Sequence, residues 1–290
     1  MKGSLLRIQA VAWSTLMEAL RQKVLWVLAL FAVIMIASSI YFADFTFERE
    51  FKFIKDVGSA SISVLGLLTA MIGAAQLIPT EIERRTIYTT MSKPVFRFEF
   101  LLGKYFGLLS LITLMVLGMS VIFFGVVLVH EQIYVAEITA GAAAADWSPE
   151  QVRMVEDILE QSRDFGMVQA ILLLWARLAL VESIALLLST VATSSIFIIF
   201  ASVVIYIIGH LQSVAREAWA EVMTENWMLG AFSAVIAWLV PNFQSFSIID
   251  EILAGETISW AYVSQIFSYS VFYTLIVLLA SGLIFEEREL

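Results

Sequence analysis

Two charged residues, Arg177 and Glu182, stand inside an otherwise apolar run from Met167 to Leu188. Charge at that depth is costly, and it faces other protein or water rather than lipid. Such groups can line a substrate path or a subunit interface, or they can pair with neighbouring helices as structure. The residue types allow both. On one helix their side chains point roughly 140° apart, so they are not expected to pair with each other. The two histidines, His130 and His210, are isolated at the ends of apolar runs, and there is no cysteine. Neither a metal-ligand cluster nor thiolate or disulfide chemistry follows. No nucleophile–base set and no paired carboxylates fall at a fixed spacing, so no enzyme site is expected. Gly103-Lys104 is followed by Tyr105, and Phe98 stands where a phosphate loop needs its first glycine. By that route the chain does not bind ATP.

The elements that hold these residues are set by composition. Of 290 residues, 60% are hydrophobic and only 15% are charged, against about 25% charged in soluble domains. The apolar residues fall in runs of about 18 or more, long enough to cross a bilayer core. The formal net charge of −9 argues against nucleic acid as a partner. The chain therefore reads as an all-α integral membrane protein, one transmembrane domain over 1–290, with six spans at about 24–43, 57–79, 105–129, 167–188, 196–208 and 258–285.

Residues 3–20 are amphipathic, unlike a cleavable leader. They read as a helix in the membrane interface, with Trp13 at headgroup level. Residues 44–56 read as a polar loop, and the second span ends at Pro79-Thr80-Glu81. The extracytoplasmic loop 131–165 contains Ser148, Pro149 and Gln151, a helix start. A short helix follows whose apolar face is Val152, Val155, Ile158 and Leu159. The segment 227–241, with Gly230 near its start and Pro241 at its end, is short for a crossing and reads as re-entrant.

Basic residues near span ends favour the cytoplasm. Lys2, Arg7, Arg21, Lys23, Arg84, Arg85, Lys93, Arg97, Lys104 and Arg288 lie at the termini and between the second and third spans. They outnumber Arg49, Lys52, Lys55, Arg153, Arg163 and Arg216 on the other side. Both termini are therefore expected in the cytoplasm, with Ser92 to Lys104 beside them. Pro94 suits the first turn of a helix, and Phe96 and Phe100 share a face four residues apart. On the residues alone, two readings stand: a short in-plane helix showing aromatics and Arg97 to a partner, or an ordinary basic loop with interface aromatics.

The stretch EIERRTIYTTMSKPVFRFEFLLGKYFG, Glu81 to Gly107, resembles the signature region of type 2 permeases of ATP-binding-cassette (ABC) transporters. Glu81, Glu83, Arg85, Thr86, Lys93, Pro94, Val95, Arg97, Glu99, Gly103 and Lys104 carry the likeness. The six spans, the turn STVATSS and the element VPNF agree in layout.

The resemblance implies a half-transporter of the cytoplasmic (inner) membrane that exports substrate. It would pair with a second permease protomer, identical or not, and bind cytoplasmic ABC ATPase subunits that hold the ATP and magnesium, with no cofactor in this chain. It further implies that 92–100 is a coupling helix, with Glu81, Glu83, Arg85, Lys93, Pro94, Val95, Phe96, Arg97, Glu99 and Phe100 as the residues that meet the ATPase. The alternatives are a self-sufficient secondary transporter or channel, or a membrane scaffold subunit without transport. No duplicated pattern of the kind many secondary transporters carry is found.

Overall fold

The computed structural model describes residues 2–43, 50–83, 96–138, 152–153, 155–156, 159, 165–218, 228, 239–254 and 256–287. All regular structure among them is helical: α1 (Lys2–Leu20), α2 (Lys23–Ala43), α3 (Glu50–Glu83), α4 (Arg97–Ile138), α5 (Gly166–Val191), α6 (Ser195–Ala218), α7 (Ile249–Leu253) and α8 (Trp260–Glu287). Six of these, α2 to α6 and α8, are long and apolar enough to cross a membrane. The protein is a multi-pass membrane protein.

Helices α3 and α5 are the buried centre, while α2, α6 and α8 leave most of their surface exposed. A helix apolar all round belongs inside a bundle, and α5 is buried along nearly its whole length, from Met167 to Thr190. Lipid is as apolar as leucine, so helices in a membrane associate through close packing and hydrogen bonds. Glycines on α3 supply the close packing. A Cβ on Gly66 would lie 2.6 Å from Leu178 of α5, and one on Gly73 would lie 2.6 Å from Leu108 of α4. Hydrogen bonds then stitch α5 to its neighbours. Trp175 Nε1 donates to Thr113 Oγ1 at 2.9 Å, Ser270 Oγ to the Ala176 carbonyl at 2.7 Å, and Tyr105 Oη to the Ala179 carbonyl at 3.3 Å.

The helices overrun the expected spans. Residues 50–56, expected in a loop, are the first turns of α3, and α3 continues through Pro79 to Glu83. The cause at the first end is burial: Phe51 and Ile54 are buried there. Helix α4 runs on past Val129, with His130 and Glu131 buried. His130 Nε2 meets Glu50 Oε2 at 3.1 Å, and its ring packs edge-on against Phe51. Val155 and Leu159 line one cavity with Val135 and Ala136 of this extension, whereas Val152 is exposed.

Most of 227–241 lies outside the described residues. Its C-terminal flank is described: the Phe243 N–H donates to the Gly209 carbonyl of α6 at 3.1 Å. Beyond it, Gln169 at the start of α5 donates to the Ile258 carbonyl just before α8 at 3.3 Å. The chain therefore leaves α6 and enters α8 at the same end of the bundle, the end that holds His130.

Candidate functional site

The opposite end of the bundle is organised by the first turns of α4. The separate helix expected over 92–100 is not what its described part forms. Residues 97–100 open α4 and continue without a break into the span. Helix α1 crosses closely at Gly103; a Cβ there would lie 2.5 Å from the Val11 Cβ. Arg85, Lys93, Pro94 and Val95 lie outside the described residues. Glu81 and Glu83 belong to the last turn of α3, and their side chains are outside the described set.

Four of the expected contact residues can be followed. Phe96 is exposed, at 71% of its full surface, with the Arg7 guanidinium 5.9 Å from its ring. Phe100 does not share that exposure. It is buried and stacked on Phe285 of α8, ring centroids 6.1 Å apart. The spacing placed the two phenylalanines on one face, but the end of α8 covers that face one turn in.

Arg97 Nη1 donates to the Phe285 and Glu286 carbonyls at 3.1 and 2.9 Å. These are among the last carbonyls of α8, which have no partner within their own helix, and a cation there also suits the helix dipole. Glu99 faces α1. Its carboxylate accepts from Arg7 Nε and Nη2, each at 2.8 Å, and from Ser4 Oγ. It also reaches back to the Phe96 N–H at 3.4 Å, the return half of a capping box.

Lys104 is buried, 3.8 Å from Glu18 of α1 and 5.5 Å over the Phe100 ring. Phe98 lies over Gly282 of α8, so close that a side chain there would displace its ring. The foot of α4 thus clasps α1 on one side and the end of α8 on the other.

This arrangement changes what a mutation at the foot does. Replacing both Arg97 and Glu99 by alanine is expected to loosen α1 and α8 from α4. Severalfold faster tryptic cleavage at the exposed Arg21, in the turn after α1, together with a lower apparent melting temperature, is the result to look for. A double variant that resists trypsin like the parent would show that these contacts carry little of the docking.

The sequence pattern did not single out Ser4, Arg7, Phe98 or Phe285 as parts of this foot. One signal was present: Gly103 and Gly107, four residues apart, are the small-residue spacing that lets helices approach.

The second set of expected residues lies inside the bundle. Arg177 is 5% exposed. Its Nη2 donates to Ser63 Oγ of α3, its guanidinium sits 6.0 Å from the Tyr206 ring of α6, and its Nε–H has no partner among the described residues. Glu182 is fully buried, and neither carboxyl oxygen has a hydrogen-bond partner among the described residues. The two do not pair, in line with their spacing on one helix. Among the described residues no group of acidic and histidine side chains could hold a metal ion.

Neither the protein-family models nor the curated proteins contain a match to this chain.

Proposed function

We propose that this multi-pass protein is the permease subunit of an ABC exporter of type 2. It would move substrate across the cytoplasmic (inner) membrane, with both termini in the cytoplasm, as one of two protomers driven by separate ATPase subunits. The observation that carries the reading is the foot of α4. An exposed phenylalanine, Phe96, projects from a helix start bonded to both α1 and α8. Aromatic side chains, phenylalanine among them, are enriched at protein–protein interfaces. Force applied at that point reaches two other helices at once, which is what a transporter driven from outside its own chain requires.

The structure alters which residues test the reading. Arg97, Glu99 and Phe100 hold the bundle together, so Phe96 is the clean probe. In full-length protein purified from its native membrane, an ATPase with a nucleotide-binding signature is expected to copurify. Phe96→Ser is expected to lower its recovery by about tenfold, the loss of a typical hot-spot side chain, with the melting temperature unchanged. A preparation that transports in vesicles without any ATPase would overturn the proposal.

That other outcome, a self-sufficient transporter, would use the buried Arg177 and Glu182 as its own transport path, a default role of intramembrane charge. A scaffold role would leave both vesicle transport and ATPase recovery absent.

A further inference from the structure

Arg177 presents an energetic problem. A guanidinium stays charged at any accessible pH, and burying a charge without a counter-ion is strongly unfavourable. No carboxylate forms an ion pair with it among the described residues, and Glu182 on its own helix leaves both oxygens unpaired rather than meeting it. Ser63 Oγ satisfies one nitrogen and the Tyr206 ring takes some of the charge, but the Nε–H points at no acceptor.

A second unsatisfied group lies beside it. His210, one turn along α6 from Tyr206, stacks on it with ring centroids 5.9 Å apart, and its buried Nδ1 has no partner among the described residues. Its ring is only half-buried. Three helices, α3, α5 and α6, thus converge on one spot with a cation, an aromatic shelf and an imidazole, and with no anion to match.

We propose that Arg177, with His210 beside it, binds an oxyanion, a carboxylate or phosphate group, carried either by an amphiphile or by a small solute. The guanidinium supplies Nε–H and a second N–H as a planar fork, the geometry that recognises such groups in two-point contact. Neutral histidine contributes either a donor or an acceptor, and it becomes a pure donor on protonation. The apolar body of an amphiphile would rest against α6, a helix whose outer surface is largely exposed and apolar. This inference deepens the permease reading by giving the cargo path a charge preference, and it rests on that reading only for its link to transport.

The test uses the full-length chain alone in detergent, without any ATPase, so that failure here and failure of the permease reading are separable. The probes are phosphatidylglycerol, decanoate and inorganic phosphate, each followed by native mass spectrometry and by the shift in melting temperature. At least one is expected to bind, and Arg177→Met is expected to weaken it about ten- to hundredfold, the loss of a charge-assisted contact. Arg177→Lys is expected to retain part of the affinity, and Ser63→Ala most of it. Binding of the lipid alone identifies a headgroup site. Binding of decanoate identifies the carboxylate of an amphiphile, and binding of inorganic phosphate identifies a solute site. If no probe binds, or if Arg177→Met folds and binds like the parent, the proposal is wrong and the arginine serves only to join α3, α5 and α6.

Discussion

Replacing Gly107 by leucine is expected to expel α1 from the bundle. A Cβ at this position would stand 2.6 Å from the backbone carbonyl of Ala12 and 2.6 Å from the Thr15 Cβ. A flexible side chain can move aside, but a carbonyl in the middle of a helix cannot move without the helix. The four carbons of leucine therefore demand that α1 shift as a body, breaking the Arg7–Glu99 pair and uncovering Thr15 and Ala19, which are buried now. Overpacking of this kind costs about 1–3 kcal/mol. The expected readout is rapid tryptic cleavage at Arg21 and a melting temperature several degrees lower. Gly118 on the same helix is the control, because nothing lies within 4 Å of a Cβ built there. Gly118→Leu should melt and digest like the parent. Equal behaviour of the two variants would show that α1 does not depend on its close approach to α4.

Replacing Glu182 by methionine is expected to act in the opposite direction. The carboxyl is wholly enclosed and neither oxygen has a partner. A buried polar group left unsatisfied costs about 1–3 kcal/mol, and methionine has nearly the same length and no polar atom. The variant should therefore melt several degrees higher. A gain in stability joined to a loss of transport would assign the carboxyl to function, since natural chains keep such costly groups where activity needs them. A lower melting temperature would mean instead that Glu182 is satisfied inside the bundle, for instance by a buried water.

The spans were legible because a run of apolar residues of bilayer length is a property of the chain itself, whatever packs against it. Their ends were not. Glu50 to Asp56 is polar on paper, and it is helical because α4 extends far enough to bury Phe51 and Ile54. That extension is in turn invisible without knowing that His130 finds Glu50. The foot of α4 shows the same limit. Phe96 and Phe100 look equivalent by spacing, and only the arrival of α8 separates an exposed ring from a buried one. Arg97, Glu99, Gly103 and Lys104 formed a motif-like string in sequence, and each proves to have an intramolecular partner. Arg177 and Glu182 stood out as buried charges from composition alone. Which helices they face depends on rotation about α5, which its nearly uniform apolar surface does not encode.

Helix α4 has 42 residues, about 63 Å at 1.5 Å per residue, roughly twice the thickness of the hydrocarbon it crosses. None of its four glycines, at 103, 107, 118 and 125, interrupts it. A stiff rod of that length has a mechanical gain. A tilt of about 5° about its foot sweeps the far tip through about 5 Å by simple geometry on that length. The tip carries His130, Glu131 and the seat of Val155 and Leu159. The greatest displacement on rocking would therefore arise beyond the opposite membrane surface, farthest from the clasp on α1 and α8, and a spin label on Gln132 would report it with more amplitude than one on Leu102.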